Sequence, residues 1–315
     1  MGDVSLLQAF ILCSSGTTGL PKGVCKSHSQ VIQQMLPFWQ STSTTRDILF
    51  NFSTIFWATG IIFQITGTLY GCKRIITSES FDSELMIHIL NKYKVTTTFL
   101  PPSLLSFLIQ CDKIKPLPSV KLLMCGGSVV SKELCERVSS YLPNGKIATV
   151  YGTSEGDFIT LAFPVVKYGS TGQVVANVKV KILDDDGKCQ DPNVDGEICF
   201  KTPVPFLGYF GNPLQTKEVL DDDSWIHSGD IGHFDNEGNL FIVDRKKEIL
   251  KYLGYQVSPS EIENIINNID GVVTSCVVGV SNSNSDDIIH AFVVPSKKQN
   301  HLKEIDVLNI VNGKK

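Results

Sequence analysis

Residues 14–24, with the sequence Ser-Ser-Gly-Thr-Thr-Gly-Leu-Pro-Lys-Gly-Val, are the densest collection of groups that could do chemistry. Hydroxyl side chains, glycines and a lysine in one loop supply O–H donors, backbone N–H groups and a positive charge, which together suit a polyphosphate. The loop does not fit the Walker pattern, because neither Gly16 nor Gly19 is followed by Gly-Lys-Ser/Thr at the required spacing. The composition predicts a phosphate-binding loop of another type, with a flexible Ser/Gly turn as the alternative.

A second candidate is the run Tyr-Gly-Thr-Ser-Glu-Gly at residues 151–156, which follows a predicted strand. Open α/β sheets bind ligands at the carboxyl ends of their strands, so Glu155 is placed where it could hold Mg²⁺ beside phosphate oxygens. The same run satisfies the G-x-S-x-G pattern of serine hydrolases, with Asp230 and His290 downstream in the required order. On these residues alone, a hydrolase that uses Ser154 and a plain turn both stay open.

A third candidate is the run Trp-Ile-His-Ser-Gly-Asp at residues 225–230. An Asp beside Gly is typical of a turn and needs no ligand there. The functional alternative is that the Asp230 carboxylate accepts hydrogen bonds from both hydroxyls of a ribose. The acidic runs at residues 184–186 and 221–223 are interpreted as solvated turns rather than metal sites.

The whole-chain composition limits the classes of protein that can carry these groups. The 315 residues suffice for about two domains, and 42% hydrophobic with 19% charged residues is typical of a globular chain. The net charge of −4 argues against nucleic acid as a partner. Nine cysteines without a C-x-x-C pair indicate reduced thiols inside a cell and argue against a structural zinc site.

No targeting signal or transmembrane segment is predicted. The N-terminus lacks a charged region followed by an apolar one. The uncharged stretch at residues 48–72 is interrupted by polar side chains, so we interpret it as a buried strand followed by a helix. The expected location is therefore intracellular.

The elements that must position these groups alternate between strands and helices in the first half of the chain. Apolar residues at helical spacing predict helices at residues 81–93 and 131–141. Short β-rich runs predict strands at residues 9–13, 48–52, 74–76, 97–100, 121–125 and 147–151. The alternation predicts the α/β class, with a doubly wound, mostly parallel sheet.

Further along, the pattern changes twice. After Gly169, strands alternate with tight turns, as at residues 178–183 and 197–201, which predicts a β-barrel-like subdomain. The run Ser-Pro-Ser-Glu at residues 258–261 then offers a Ser N-cap, Pro at N1 and Glu at N3 of a helix. Predicted strands at residues 272–280 and 288–294 complete a small α+β C-terminal lobe.

Taken together, the sequence resembles the adenylate-forming superfamily of acyl-CoA synthetases, coumarate-CoA ligases and insect luciferases. Four blocks match in order: residues 14–24, 151–155, 225–230, and 244–248 running into 251–259. Gly126-Gly127-Ser128, and Gly208-Tyr209 before Asn212-Pro213, agree more weakly. The resemblance extends over nearly the whole chain.

The resemblance implies a site for ATP and Mg²⁺. Thr153 would contact the α-phosphate, and Glu155 with Thr17 would position Mg²⁺; Lys22, Thr153 and Glu155 would be the catalytic residues. Asp230 and Arg245 would hold the ribose. The residues implied to wrap the β- and γ-phosphates are Ser14, Ser15, Gly16, Thr17, Thr18, Gly19 and Lys22. The residues implied to lie along the adenine are Gly126, Gly127 and Tyr151, with Gly152 in the same nucleotide-binding run.

The implied reaction is the ATP-dependent activation of a fatty or aromatic carboxylic acid to an acyl adenylate, followed by transfer to CoA. Asp244 would be the hinge of a mobile C-terminal domain, and Gly254 with Tyr255 would face the pantetheine of CoA. The domains expected are residues 1–168 as a partial α/β nucleotide-binding core, 169–243 as a β-rich subdomain of it, and 244–315 as the hinge and a partial mobile domain.

Departures from the family pattern bear on the expected activity. The family's region ahead of the phosphate loop and its C-terminal catalytic lysine motif have no counterpart, so we expect a chain truncated at both ends with impaired adenylation. A nucleotide-binding pseudoenzyme is the alternative. Trp57 stands where many relatives have histidine and is a tentative wall of the acid pocket, with core packing as the alternative. Some relatives are peroxisomal, but the chain lacks a terminal Ser-Lys-Leu; otherwise the expected compartment is the cytoplasm.

Overall fold

The computed structural model describes residues 7–14, 21–35, 43–252, 255–281, 287–295 and 303–313. The strands are β1 (Gln8–Ser14), β2 (Lys22–Ser27), β3 (Ile48–Asn51), β4 (Lys73–Arg74), β5 (Thr97–Leu100), β6 (Leu122–Gly126), β7 (Lys146–Thr153), β8 (Asp157–Ala162), β9 (Gln173–Val174), β10 (Lys179–Leu183), β11 (Gly196–Lys201), β12 (Ile226–Phe234), β13 (Leu240–Arg245), β14 (Leu250–Tyr252), β15 (Tyr255–Val257), β16 (Val272–Ser281) and β17 (Asp287–Pro295). The helices are α1 (His28–Gln30, which continues as a π-helical turn, Val31–Met35), α2 (Ala58–Leu69), α3 (Ser83–Lys92), α4 (Pro102–Gln110), α5 (Lys132–Ser139), α6 (Pro213–Val219), α7 (Pro259–Asn267) and α8 (Glu304–Asn312).

The main sheet has seven strands in the order β4-β3-β5-β6-β7-β8-β9. The first five strands in this order run parallel, and β8 and β9 add antiparallel strands at one edge. Because β3 lies between β4 and β5, the chain winds across the sheet in both directions, as doubly wound folds do. The predicted α/β class is confirmed.

Two apolar clusters cover the two faces of the main sheet. Leu49 and Phe50 are neighbours in β3 but are buried in different clusters, because successive side chains of a strand point to opposite faces. Leu122 and Leu123 in β6 divide in the same way. Helix α2 packs on the Leu49 side, whereas α3, α4 and α5 pack on the Phe50 side. This double cover explains why β5 and β6 are buried along their whole length.

The uncharged stretch at residues 48–72 folds as predicted into a buried strand, β3, and a helix, α2. Within the part of the chain that the structure describes, no helix combines the length and the apolar character needed to cross a bilayer. The strand predicted at residues 74–76 is shorter, since β4 ends at Arg74 and Ile76 is 76% exposed.

The strand predicted at residues 9–13 does not join the main sheet. Strand β1 pairs with β2 in a separate antiparallel hairpin, with Ser14 opposite Lys22. The sequence does not predict β2, because its six residues, Lys-Gly-Val-Cys-Lys-Ser, show no clear alternation of apolar and polar side chains. The candidate phosphate loop is therefore the connection of a β-hairpin.

Strands β10 to β13 form a four-stranded antiparallel sheet in chain order, which matches the predicted strands at residues 178–183 and 197–201. Between β10 and β11 the chain turns at Gly187, whose φ of +78° favours glycine. The core of this subdomain contains Ile198, Phe200 and Leu240, and Tyr151 of the main sheet packs into it. The two sheets therefore share one apolar cluster.

The helix predicted from the run at residues 258–261 is α7. The Ser258 Oγ accepts a hydrogen bond from the Glu261 N–H at 3.2 Å, and Pro259 is the first helical residue, as predicted. Strands β16 and β17 pair antiparallel. Val277 of β16 packs with Ile266 of α7 and Val307 of α8 in a small core. This cluster gives the C-terminal lobe apolar packing of its own.

Candidate functional site

The β1–β2 hairpin carries the ends of the candidate phosphate loop. The Ser14 hydroxyl donates to the Lys22 carbonyl at 3.4 Å, so these two predicted residues close the loop from its two strands. Other predicted members, namely Ser15, Gly16, Thr17, Thr18 and Gly19, lie outside the described residues. Their phosphate and Mg²⁺ contacts stay predictions.

A tyrosine lies between the predicted phosphate lysine and the predicted metal carboxylate. The Lys22 Nζ lies 4.9 Å from the centre of the Tyr209 ring, and the Tyr209 hydroxyl donates to the Glu155 Oε1 at 2.7 Å. Burial raises the pKa of the Tyr209 phenol, as does the charge of Glu155, so the hydroxyl stays a donor at neutral pH. A cation and a carboxylate therefore approach one tyrosine from two sides.

The backbone fixes Tyr209 in this place. Val24 and Tyr209 form an antiparallel bridge between β2 and the segment before α6. The Cys25 N–H donates to the Gly208 carbonyl at 3.1 Å, and the Phe210 N–H donates to the Gly23 carbonyl at 2.7 Å. The Gly208-Tyr209 pair, a weaker part of the resemblance, is thus tied directly to β2 of the β1–β2 hairpin. Its role is missed by sequence reasoning because the contact joins segments far apart in the chain.

The run at residues 151–156 forms the end of β7 and a tight turn into β8. The two strands are antiparallel, with Thr153 opposite Asp157, and the Thr153 Oγ1 accepts from the Gly156 N–H at 3.1 Å. A nucleophile elbow requires a strand that turns into a helix, whereas Ser154 lies between two strands. The serine hydrolase alternative is therefore wrong.

The two predicted adenine glycines lie beside Tyr151. Gly126 ends β6 opposite Val150 of β7, and a Cβ added to Gly126 would lie 2.5 Å from the Val150 carbonyl oxygen. Gly127 follows with φ +95°, and a Cβ built there meets no described atom within 4 Å, so the backbone faces open space. Gly152, like Gly126, has no room for a side chain, since its added Cβ would lie 1.9 Å from the Asp157 carbonyl oxygen. A flat group can approach the backbone at Gly127 without meeting a side chain there.

Asp230 is held at the same end of the sheet. The Tyr151 hydroxyl donates to its Oδ2 at 2.7 Å, and the Arg245 Nε lies 3.5 Å from its Oδ1. Burial raises the pKa of the Asp230 carboxyl, although the Tyr151 hydrogen bond and the Arg245 charge act in the opposite direction. The predicted ribose pair, Asp230 and Arg245, is thus in contact with the predicted adenine residue Tyr151.

An irregularity in β12 orients Asp230. The pairing of β11 with β12 skips from Cys199 opposite His227 to Glu197 opposite Ile231, so β12 has extra residues between these pairs. Gly229, with φ +71°, lies in this bulge, and the Asp230 N–H donates to the Ser228 Oγ at 3.0 Å. The Ser-Gly-Asp run therefore forms a β-bulge that orients the Asp230 carboxylate.

Asp244, the predicted hinge, lies at the end of β13 and is 5% exposed. Its Oδ2 accepts from the Ser258 hydroxyl at 2.7 Å and from the Ser260 N–H at 3.0 Å. The residue thus links the last strand of the antiparallel subdomain to the first turn of α7. Tyr255 is 74% exposed in β15, and Gly254 lies outside the described residues.

Trp57 precedes the first residue of α2 as its N-cap and is 53% exposed. Core packing, the alternative considered for this side chain, is therefore wrong. An acid-pocket role for Trp57 stays a prediction.

A buried ion pair below the hairpin is not predicted from the sequence. The Lys26 Nζ donates to the Asp157 Oδ1 at 2.7 Å, and both side chains are fully buried. Nearby, the Gln30 Nε2 of α1 donates to the Glu155 carbonyl at 2.9 Å. Lys26 lies in β2 and Asp157 opens β8, 131 residues apart, so only the fold reveals their contact. The pair ties the β1–β2 hairpin to the turn that carries Glu155.

The arrangement has the groups that an adenine nucleotide and a metal ion need. Tyr151, Asp230 and Arg245 offer an aromatic ring, a carboxylate for paired hydroxyls and a cation. Lys22 and Glu155 offer a cation for phosphates and a hard oxygen ligand for Mg²⁺. These donor types are chemically compatible with ATP and Mg²⁺, and the contacts of the individual residues with either ligand stay predictions.

Comparison with known proteins agrees with this chemistry. Residues 8–210 match the family model described as "AMP-binding enzyme". A 4-coumarate–CoA ligase 1 of Arabidopsis thaliana is 33% identical over 317 residues, covering 95% of this chain and 56% of that protein. A luciferin 4-monooxygenase of Nipponoluciola cruciata is 32% identical, covering 96% of this chain and 57% of that protein. The chain thus spans about half the length of these curated relatives.

Solved structures share the fold. The ATP-bound crystal structure of MatB from Rhodopseudomonas palustris superposes with a TM-score of 0.86 at 26% sequence identity. The match covers 98% of this chain and 62% of that one. The arrangement of the main sheet and the antiparallel sheet is therefore shared with this ATP-bound protein.

Proposed function

Because the chain belongs to the AMP-binding enzyme family, we propose that it serves the ATP-dependent activation of a carboxylic acid and its transfer to CoA. The observation that carries this proposal is the contact between Tyr151 and Asp230, with Arg245 beside the same carboxylate. It joins the end of the parallel sheet to the subdomain at the point where a nucleoside would lie. The acid is proposed to be fatty or aromatic, with Trp57 as a wall of its pocket.

At the nucleoside end, the proposed work is recognition. The Asp230 carboxylate accepts hydrogen bonds from the two ribose hydroxyls while Tyr151 keeps it oriented. The open backbone at Gly127 gives room for the adenine beside the Tyr151 ring. Arg245 neutralises Asp230 from the solvent side.

At the phosphate end, the proposed work is charge stabilisation. Lys22 and the remaining loop residues bind the β- and γ-phosphates, and Thr153 contacts the α-phosphate. Glu155, with Thr17, would hold Mg²⁺, which neutralises phosphate charge when it is bound. Tyr209 orients the Glu155 carboxylate and packs against Lys22, so one side chain sets the position of both charges.

The proposed reaction has two steps at one site. The acid's carboxylate oxygen attacks the α-phosphorus, the bond to the bridging oxygen breaks, and pyrophosphate leaves to give an acyl adenylate. The CoA thiol then loses its proton and attacks the acyl carbonyl, and AMP leaves as the thioester forms. Loop residues and the hinge position these reactants rather than form covalent bonds with them.

The second step is proposed to need movement about Asp244. We propose residues 1–168 and 169–243 as the two parts of a larger lobe, and residues 244–315 as the moving part. Tyr255, exposed in β15, is placed with Gly254 on the CoA side of that part. The proposed compartment, cytoplasm or peroxisome, follows from the family resemblance alone.

Pyrophosphate exchange tests the activity directly. The full chain is incubated with Mg-ATP, labelled pyrophosphate and a panel of cinnamic, benzoic and fatty acids, with Thr153→Val as the inactive reference. Acid-dependent exchange in the wild type, lost in the variant, is expected. Nucleotide binding without exchange for every acid would overturn the activity and favour a nucleotide-binding pseudoenzyme.

A further inference from the structure

Three ligand-type atoms converge on the antiparallel subdomain, next to the bulge that orients Asp230. The Cys199 Sγ lies 3.4 Å from the His227 Nδ1, and the Glu197 Oε2 lies 3.4 Å from the same nitrogen. All three atoms lie within 4.8 Å of one another. In the proposed function these side chains have no part.

The strands bring the three side chains to one face. Glu197 and Cys199 are two residues apart in β11, a spacing that directs both to the same side. Cys199 lies opposite His227 of β12. A cross-strand pair of this kind is set by register, so the backbone holds the atoms together before any ligand binds.

We propose that Glu197, Cys199 and His227 bind a thiophilic divalent cation of the zinc class. Zinc bonds of about 2.3 Å to sulfur and about 2.0–2.1 Å to nitrogen or oxygen, at tetrahedral angles, separate neighbouring ligand atoms by roughly 3.3–3.6 Å. The two separations from the His227 Nδ1, 3.4 Å each, match this range, and the Glu197 oxygen and the Cys199 sulfur lie within 4.8 Å of each other, so a small side-chain adjustment completes the tetrahedral spacing. A proton on the His227 Nδ1 can be donated in a good hydrogen bond to the Cys199 sulfur or to the Glu197 oxygen, but not to both at once. A metal ion binds all three atoms together.

The far side of the histidine ring supports the same assignment. The His227 Nε2 lies 3.8 Å from the Asp221 Oδ2. Histidines that bind a metal through one nitrogen commonly have the other directed to a carboxylate, which orients the ring and raises its basicity. The 3.8 Å separation is longer than a hydrogen bond, so Asp221 becomes this outer partner when the ring moves toward it by a few tenths of an ångström, and the fourth position is left for water.

The neighbouring charges permit the ion to enter. Lys246 contacts the Glu197 Oε2 at 3.7 Å, but its Nζ also lies 3.0 Å from the Asp185 Oδ1. Lys246 can therefore move away from Glu197 and keep its ion pair with Asp185. Cys199 itself is buried, while the His227 side chain is 32% exposed, so access is from the histidine side. The bound ion cross-links β11 and β12 beside the Asp230 turn.

The C-x-x-C criterion fails to find this site for a simple reason. It detects ligands that are close in sequence, whereas Cys199 and His227 are 28 residues apart and meet only through strand pairing. The expectation that the cysteine spacing excludes a structural zinc site therefore does not apply to ligands from separate strands.

Cobalt titration of the reduced, metal-free full chain tests the proposal. We expect one Co²⁺ per chain with a thiolate-to-cobalt charge-transfer band, displaced by stoichiometric Zn²⁺. Cys199→Ser should abolish the band, and His227→Gln should weaken Zn²⁺ binding by at least about tenfold in competition with a chromophoric chelator. Cys189→Ser and His233→Gln are matched controls that should bind like the wild type, because Cys189 is exposed and His233 pairs with Asp195.

Two results overturn the proposal. One is a folded wild type that shows no thiolate band at stoichiometric Co²⁺. The other is a band that persists in Cys199→Ser. Circular dichroism of each variant checks folding. If the buried Cys199→Ser chain does not fold, the His227→Gln variant, changed at a side chain that is 32% exposed, decides: Zn²⁺ affinity equal to that of the wild type also overturns the proposal.

Discussion

Asp157 and Asp230 are both almost completely buried and both have a basic partner, but they lie in opposite kinds of surroundings. Asp157 faces Lys26 at 2.7 Å, with both side chains closed to solvent. Asp230 faces Arg245 at 3.5 Å, and the Arg245 side chain is 45% exposed. Burial raises the pKa of both carboxyls. The two carboxylates are alike in residue type and in burial. They differ in the solvent exposure of the basic partner, which is zero for Lys26 and 45% for Arg245.

This contrast separates structure from recognition. The Lys26–Asp157 pair is fully buried, so it can fix the β1–β2 hairpin to the Glu155 turn but cannot receive a ligand. The Asp230 side chain keeps 11% exposure beside Arg245 and is oriented by Tyr151, and we propose that a diol reaches its oxygens from that side. We expect changes at the first pair to affect folding and changes at the second to affect nucleotide binding.

The largest expected effect is on stability, from Asp157→Asn. Removing this carboxylate leaves the Lys26 ammonium buried without its counter-charge, which costs about 3–5 kcal/mol. Asn tolerates the φ of +57° at this position, so backbone strain does not contribute. Urea unfolding measures the loss, with the exposed Asp223→Asn as the control.

The double variant Lys26→Met with Asp157→Gly sharpens this result. It removes both charges, and glycine suits the left-handed backbone, so most of the lost stability should return. A double variant as unstable as Asp157→Asn would show that the uncompensated charge is not the cause.

The second effect is on binding, from Asp230→Asn. The amide keeps an acceptor for Tyr151 but offers a neutral group to the ribose, so Mg-ATP affinity should fall by about 1.5–3 kcal/mol, or roughly ten- to hundredfold. Isothermal titration measures this, with Asp223→Asn as the control again. Equal affinity in wild type and Asp230→Asn would remove Asp230 from the nucleotide site.

A smaller effect is expected from Tyr209→Phe. This change removes only the hydroxyl that donates to Glu155, so the hydrogen bond that orients the proposed metal-binding carboxylate, worth about 0.5–1.5 kcal/mol, is lost. The Mg²⁺ concentration for half-maximal ATP binding should rise several-fold while affinity for metal-free AMP is unchanged. Loss of AMP affinity to the same extent would mean that Tyr209 acts on the nucleoside instead.

The smallest effect is a pH dependence of stability. In the folded protein the pKa of Asp230 is raised from its ordinary value of 3.8, because the buried site favours the protonated carboxyl. The stability that this protonated group contributes is fully present below pH 3.8 and is lost as the pH rises through the folded-state pKa. Asp230→Asn does not ionise at this position. Over the same pH interval, urea unfolding should therefore show a loss of stability in the wild type relative to this variant. Parallel stability curves for the two proteins would contradict the raised pKa.

Local signals in the sequence predict much of this molecule. The Ser258 cap and Pro259 predict the start of α7, and short β-rich runs predict β5 and β6, because these elements are specified by neighbouring residues. The motifs also single out Tyr151 and Asp230, which the structure brings into contact, whereas the phosphate-binding role of residues 14–24 stays a prediction.

What the sequence does not predict depends on register and long-range pairing. Strand β2, the bulge around Gly229 and the Tyr209–Glu155 contact arise from which strands meet. The Lys26–Asp157 pair has no local pattern at either residue. The β1–β2 hairpin is the clearest case, since a loop expected after a sheet strand connects two strands of a separate hairpin.

A crystal structure of the full chain with AMP would show directly whether the nucleoside lies at Asp230. We expect both ribose hydroxyls within hydrogen-bonding distance of the Asp230 carboxylate, the adenine beside Gly127 and Tyr151, and the phosphate toward Thr153. Nucleotide bound at another place, or none at saturating AMP, would contradict this expectation.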